Sequence, residues 1–480
     1  MPIVPGKLSN QGEYPAEMME GRGIAEGNAD KFTVPPTQGG EYGTLTGLEG
    51  IRKAARRDKG SRFTALLHHI TPSLLVESFY ALKRQAAAGV DGVTWQEYEH
   101  KLYGRVHELH RDIHTGAYRA QPSRRVYIPK ADGKLRPLGI AALEDKIVQQ
   151  SVVTVLSEIY ETDFLGFSYG FRKGRGQHDA LDALAVSIDR RKVNWILDAD
   201  IRSFFDEIDH EWMIRFLEHR IADRRILRLV RNWLRAGVIE DGKRVAAERG
   251  TPQGAVISPL LANIYLHYVF DQWVHQWRQR HAAGDVTVVR YADDSVMGFQ
   301  YEGEARRFLR ALRERMARFG LSLHPDKTRL IRFGRYAIQQ RKERGERKPE
   351  TFDFLGFTHC CGQSSHGFKL IRLTIKKRMR ATLAELRDAM MRKRHDPIPV
   401  QGRWLQRVVQ GYLNYYAVPG NIIRLDGFRT LVGRAWRKAL LRRSQRNRMS
   451  WSRFARLVDK YLPRCRALHP LPYERFYVKT

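Results

Sequence analysis

The stretch Val286 to Phe299 reads VTVVRYADDSVMGF, two apolar, β-branched segments that pair as strands with Asp293 and Asp294 side by side where the chain turns. Two unit charges about 4 Å apart repel by roughly 4 kcal/mol at an effective dielectric of 20, so adjacent carboxylates at a structured turn need compensation, or one stays protonated. A divalent cation supplies that compensation, and a second strand can bring a third oxygen ligand. WILDADIRSFFD, Trp195 to Asp206, has the form of that second strand. By period-2 alternation Leu197, Ala199 and Ile201 face the core, and Asp198 and Asp200 face the other way. Hard oxygen donors with open positions suit Mg²⁺, and two such ions about 3.5 to 4 Å apart serve an in-line displacement at phosphorus. Taken alone, YADD reads equally well as a polar turn with two solvated aspartates.

The charge of the chain agrees with chemistry on phosphates. Lys and Arg total 84 against 52 Asp and Glu, a formal +32, and self-repulsion of that size is tolerated where a polyanion neutralises it. With 480 residues, 42% of them apolar, there is material for two or three domains with cores. Cys360, Cys361 and Cys465 form no CxxC pair, so neither a disulfide framework nor a structural zinc site is indicated, and a reducing, cytoplasmic compartment fits. No signal-peptide layout opens the chain and no apolar run reaches the roughly 18 residues that cross a bilayer. The expected partner is nucleic acid, not membrane.

Residues 1–50, with ten glycines and no sustained period, read as a flexible leader. Helical patterns begin at Ile51 with IRKAARRDKGSRFTALLHHI and continue in TPSLLVESFYALKRQA, where Thr71 caps and Pro72 fills the first turn. The extended RRVYIPKADGKLRPLGI then leads to the amphipathic ALEDKIVQQSVVTVLSEIY. Helices alternate with strand candidates WILDADI, VTVVRYADDSVMGF, TRLIRF and FDFLGF, which predicts an α+β domain with a largely antiparallel sheet. From Ile371 onward there are 27 Lys and Arg against 6 Asp and Glu, in a helical pattern that starts at LTIKKRMR. Leu405, Val408, Val409, Tyr412, Leu413 and Tyr416 lie on one helix face and predict the core of a bundle, leaving outward arginines for phosphates. Removing residues 371–480 is expected to weaken RNA binding and flatten its salt dependence.

Six blocks stand in order: IPKADGKLRPLGI (128–140), DADIRSFFD (198–206), GTPQGAVISPLLANIYL (250–266), YADD (291–294), GLSLHPDKT (320–328) and FDFLGF (352–357). Together they resemble the blocks of a reverse transcriptase, and most nearly those of bacterial group II intron-encoded proteins, whose maturase X or thumb region the basic tail is also similar to. The resemblance covers roughly residues 60–475. It implies a right-hand polymerase with helical fingers (51–185), an antiparallel-sheet palm (186–368) and an α-helical thumb or X domain (369–480).

In such polymerases the first metal-binding aspartate stands five residues before an aromatic that blocks the ribose 2′-OH, the spacing of Asp200 and Phe205. The resemblance makes Asp200, Asp293 and Asp294 the catalytic ligands of two Mg²⁺ ions, with Mn²⁺ as a substitute and the Ile201 backbone carbonyl as a further ligand. Asp198 lacks the spacing and is expected to tune the field or bond locally, and Asp206 and Asp209 to bond near the start of the next helix. Lys130 and Arg136 match residues that grip the incoming triphosphate, although a hairpin with solvated basic residues is the plainer reading. Gln253 and Gly254 match positions beside the nucleotide and template base. Lys327 matches a lysine near the triphosphate, and as a lone surface lysine would otherwise mean nothing.

The partners implied are group II intron RNA, an RNA template paired with a DNA primer, deoxynucleoside triphosphates and target DNA. No cysteine pairs of an HNH endonuclease and no ribonuclease H carboxylate cluster occur, so neither activity is expected. The enzyme reading, an RNA-directed DNA polymerase that also assists splicing, stands beside two others: a splicing-only RNA-binding maturase, and a free-standing bacterial reverse transcriptase acting in defence or repair.

Overall fold

The computed structural model describes residues 43–129, 135–246, 248–346, 348–365, 367–444 and 449–475. The expected leader lies outside them as far as residue 42, and its remainder opens a helix, Gly43–Arg57, so helix begins before Ile51. It also ends sooner than the pattern to Ile70 implies. Asp58 Oδ1 accepts the Gly60 N–H at 2.8 Å, a local bond that competes with the helical one, and Phe63 then bridges Ile221 in parallel. The next helix is Pro72–Ala81, with Thr71 accepting the Leu74 N–H at 3.2 Å and Pro72 where its missing N–H costs nothing. The amphipathic segment forms Leu143–Asp163.

The strands among the described residues build three sheets. In the first, β1 (Ser123–Pro129) pairs antiparallel with β2 (Leu135–Ile140) and parallel with β4 (Val238–Glu240), which returns as β5 (Lys243–Val245). The second is wholly antiparallel, in the order β6 (Val286–Tyr291), β7 (Asp294–Phe299), β3 (Trp195–Asp200), β8 (Arg329–Arg332). The third is β9 (Phe352–Phe354), β10 (Phe357–Ser364) and β11 (Gly367–Thr374), also antiparallel.

Both faces of the second sheet are buried, which fixes its strands in register. Leu197, Ala199, Met297 and Phe299 join a large apolar cluster with residues of helices Leu143–Asp163 and Ser258–Leu266. Ile196, Val289 and Val296 join a second cluster with Leu181 and Leu184 of helix Gln177–Arg190. That second cluster runs on through Phe352, Phe354 and Phe357 into the tail, whose Leu405, Val408, Val409, Tyr412, Leu413 and Tyr416 are all buried, as their spacing predicted. The tail helices are Lys376–Arg392, Ile398–Tyr416, Ile422–Leu441 and Trp451–Tyr461. Leu373 and Thr374, expected to open the first of them, are spent instead in pairing β11 with β10. The architecture is the expected α+β one. Among the described residues no helix is long and apolar enough to cross a membrane.

Candidate active site

Only Ala292 and Asp293 join β6 to β7, and a turn that tight needs positive φ, here 55° at Ala292. Asp293 is therefore at the tip, and Asp294 opens β7 directly opposite Asp200, the last residue of β3. Opposed residues of antiparallel strands share a face with Cβ atoms about 5 Å apart, so these two carboxylates converge. Asp198 shares the face and pairs with Arg329 at 3.6 Å, the local bond expected of it.

The charges strain against one another. Asp294 reaches solvent but is ringed by protein, and that burial, followed by the charges of Asp293, Asp200 and Asp198, pushes its carboxyl up to about 7. Solvent access tempers such a rise and a bound cation reverses it. Burial also raises Asp293, with Asp200 adding to the effect and Arg136 and Lys327 opposing it. Asp198 rises to about 6, from burial first, against the pull of Arg329. Asp200 Oδ2 accepts the Lys327 ammonium at 2.8 Å. Among the described residues no three His, Cys, Asp or Glu side chains already stand in metal-holding range.

The donor set nonetheless fits a divalent cation: carboxylates from the paired ends of β3 and β7 and from the turn that leads into β7, held against their mutual repulsion, with an ammonium against one of them. Ile201 bridges Leu323, and the hydrogen bonds of that bridge use the Asp200 carbonyl and the Arg202 N–H, so the Ile201 carbonyl is not spent there. Because Asp294 must be ionised to hold a cation, Mg²⁺ uptake is expected to release more protons at about pH 6 than at about pH 8. Calorimetry in two buffers of different ionisation enthalpy measures this, and equal release at both pH values would contradict it.

Lys130 lies outside the described residues. Arg136, on β2 opposite Ile128, lies close enough for its charge to act on Asp293. Phe205 lies two residues after Ser203, which is held at φ 45°, and the Phe205 carbonyl accepts the Thr251 N–H at 2.8 Å. The Gln253 carbonyl accepts the Gly139 N–H of β2 at 2.7 Å, and its Nε2 reaches Asp206 Oδ1 at 3.4 Å. Gln253 thus links β2 to the Phe205 turn. Gly250 allows the approach, since a Cβ there would lie 2.8 Å from the Phe205 carbonyl. Gly254, at φ 107°, occupies backbone space open to glycine. Asp209 caps the helix His210–Glu218 as expected, whereas Asp206 faces Gln253. Lys327 sits on the carboxylate of Asp200.

Reasoning from the sequence passed over Arg290, which is 1% exposed beside the turn, and Gly170, whose Cβ would collide with that turn. The signal for the first was a charge inside an apolar strand.

A family model described as reverse transcriptase (RNA-dependent DNA polymerase) matches residues 128–359. Protein YkfC of Escherichia coli K12 is 34% identical over 336 residues, 61% of this chain and 87% of YkfC. The chain belongs to the reverse transcriptase family. Group II intron-encoded protein LtrA of Lactococcus lactis subsp. cremoris is 33% identical over 239 residues, 49% of this reverse transcriptase and 39% of LtrA. An uncharacterised 91 kDa protein in the cob intron of Schizosaccharomyces pombe is 38% identical over 169 residues, 35% of this chain and 21% of that protein. The reverse transcriptase therefore spans most of YkfC but under half of the two intron proteins. These likenesses bear out the resemblance read from the six blocks, and reverse transcriptases use divalent metal ions. The matched segment contains Asp200, Asp293 and Asp294.

Proposed function

We propose that this reverse transcriptase copies RNA into DNA at Asp200, Asp293 and Asp294, in the service of a group II intron whose RNA it binds, helps to splice and copies during mobility. The observation that carries the reading is the pairing of Asp200 with Asp294 beside the Asp293 turn. Two Mg²⁺ ions, or Mn²⁺, held there with the Ile201 carbonyl supply a more acidic primer hydroxyl and a counter-charge for the leaving pyrophosphate. The protein's own part is orientation and charge. Lys130 and Arg136 hold the triphosphate of the incoming deoxynucleotide, Phe205 excludes a ribose 2′-OH, and Gln253 and Gly254 flank the base pair being formed. Lys327, already within a hydrogen bond of Asp200, is placed to turn from carboxylate to phosphate.

Group II intron RNA, the template–primer duplex and target DNA are held by their backbones on the basic tail. Arg403 and Arg407 stand one turn apart and exposed on the helix Ile398–Tyr416. Replacing both by Ala is expected to lower the slope of log affinity for RNA against log salt by about 0.7 for every phosphate no longer neutralised, measured by filter binding. An unchanged slope would place the RNA surface elsewhere. The cysteines are free thiols, in keeping with a cytoplasmic setting.

The test of the whole reading is an Asp293→Ala/Asp294→Ala protein assayed for cDNA synthesis and intron splicing side by side. Loss of cDNA with splicing retained supports it. Full cDNA synthesis sinks the polymerase centre, and loss of splicing in a folded variant sinks the separation of the two roles.

A further inference from the structure

Behind the carboxylates, on the opposite face of the second sheet, one buried side chain grips the turn. Arg290 pairs across the strands with Ser295, not Asp294, and so points away from the acidic face. A guanidinium has five N–H donors, and here five hydrogen bonds use them. Nε donates to Asp271 Oδ1 at 2.7 Å, and Nη2 to Asp271 Oδ2 at 2.6 Å and Ser168 Oγ at 2.7 Å. Nη1 donates to Asn263 Oδ1 at 3.1 Å and to the carbonyl of Ala292 at 2.9 Å. Asp271 is 0% exposed.

A buried ion pair is seldom kept for stability, because well-packed apolar side chains of similar volume often do as well. What apolar packing cannot supply is the bond to Ala292. That residue holds the positive φ of the turn, an uncomfortable place for a side chain, and the next residue is Asp293. The turn is confined by a neighbouring segment as well. A Cβ on Gly170 would lie 2.3 Å from the Ala292 nitrogen, and the Gly170 carbonyl accepts Asn263 Nδ2 at 2.8 Å. Asn263 therefore braces both the guanidinium and the segment that abuts the turn.

The placement of Asp271 has its own cause. Between the α-helices Ser258–Leu266 and Gln272–His281 the chain makes a π-helical turn, His267–Asp271. The extra residue in that turn rotates the helix beyond it, and such turns gather at functional sites.

We propose that Arg290 is a positioning residue for nucleotide addition: with Asp271, Asn263 and Ser168 it fixes the Ala292 turn and so sets where Asp293 and Asp294 meet Asp200. The inference rests on reading those three aspartates as the polymerase centre. A residue needed only for folding would behave differently, slowing the reaction only in proportion to the folded protein lost.

Arg290→Lys keeps the charge beside Asp271 but loses the fork that reaches Ala292. Asn263→Ala is the milder change and leaves the ion pair whole. Both are to be measured for single-turnover addition of one deoxynucleotide to a template–primer, for template–primer affinity by fluorescence anisotropy, and for cooperative melting. Misplacement by an ångström can cost about a hundredfold in rate, and that loss is expected of Arg290→Lys, with about tenfold for Asn263→Ala. Template–primer affinity should stay within about twofold, which separates a slowed step from weakened binding. Addition within about threefold of wild type in a folded Arg290→Lys protein, or a slowing matched by an equal loss of affinity, overturns the proposal. Asp294→Asn is run alongside. If it still extends the primer, the reading of the aspartates fails, and if it is inactive while Arg290→Lys is fast, the positioning role alone fails.

Discussion

An Asp200→Asn protein is expected to add nucleotides at least about a thousandfold more slowly, a loss of roughly 4 kcal/mol in transition-state stabilisation, while melting no lower than wild type. The two halves of that expectation come from the same charge. Asp200 raises the carboxyls of Asp293 and Asp294, each of which is already raised by burial. A carboxyl raised in the folded state contributes stability that is full below its unfolded value of about 4 and is lost as pH climbs through its folded value. For Asp294 that loss falls between about 4 and about 7. Removing the Asp200 charge relieves part of it. The Lys327 bridge given up in exchange has both partners open to solvent, 59% and 27% exposed, and pairs of that kind contribute little. Metal-free melts at about pH 5 and pH 8 should therefore show the variant gaining on wild type at the higher pH. A variant that loses activity and melts early at both would make Asp200 a structural residue.

Cutting the chain after Ile375 is expected to destroy cooperative folding, a larger effect than the weakened RNA binding that the basic composition of the tail suggests. The tail is not an appendage. Phe357 of β10 is fully buried with its ring 5.3 Å from Tyr416 and 5.9 Å from Tyr415. Asn421 accepts the Thr374 N–H at 3.0 Å and donates to Thr374 Oγ1 at 2.8 Å, pinning β11 from beyond the cut. Arg475 reaches Asp179 and Asp182 on the helix that covers the second sheet. Exposing a buried large apolar side chain costs about 1.5 to 3 kcal/mol, so uncovering Phe354, Phe357 and a few neighbours approaches the roughly 5 to 15 kcal/mol that holds a domain together. Melting followed by circular dichroism checks this. A soluble 1–375 fragment with a sharp transition would contradict it, and would mean that the two parts fold independently.

Much of the candidate site was legible because its spacing is chemical. Alternation along WILDADI put Asp198 and Asp200 on one face, and the junction of two apolar segments put Asp293 and Asp294 where the chain turns, although only Asp293 lies in the turn and Asp294 opens β7. The cap at Thr71 and the buried face of helix Ile398–Tyr416 were legible for the same reason, a local pattern with a local cause. What was hidden depends on residues far apart. Lys327 meets Asp200 across 127 positions of sequence. Asp271 finds Arg290 only because a π turn shifts the helix, and no periodicity announces that turn. The helix that opens the described chain runs past the glycines at 43, 47 and 50 because packing, with Ile51 and Ala55 buried, outweighs their low propensity.

On this reading the carboxylates of Asp200, Asp293 and Asp294 hold the metal ions at which nucleotides are joined. Anomalous diffraction from crystals grown with Mn²⁺, template–primer and a non-reactive deoxynucleotide would locate those ions. Metal peaks are expected within coordination distance of all three side chains and of the triphosphate. Metal bound to the nucleotide but away from Asp200, or a primer end seated elsewhere, would contradict the assignment.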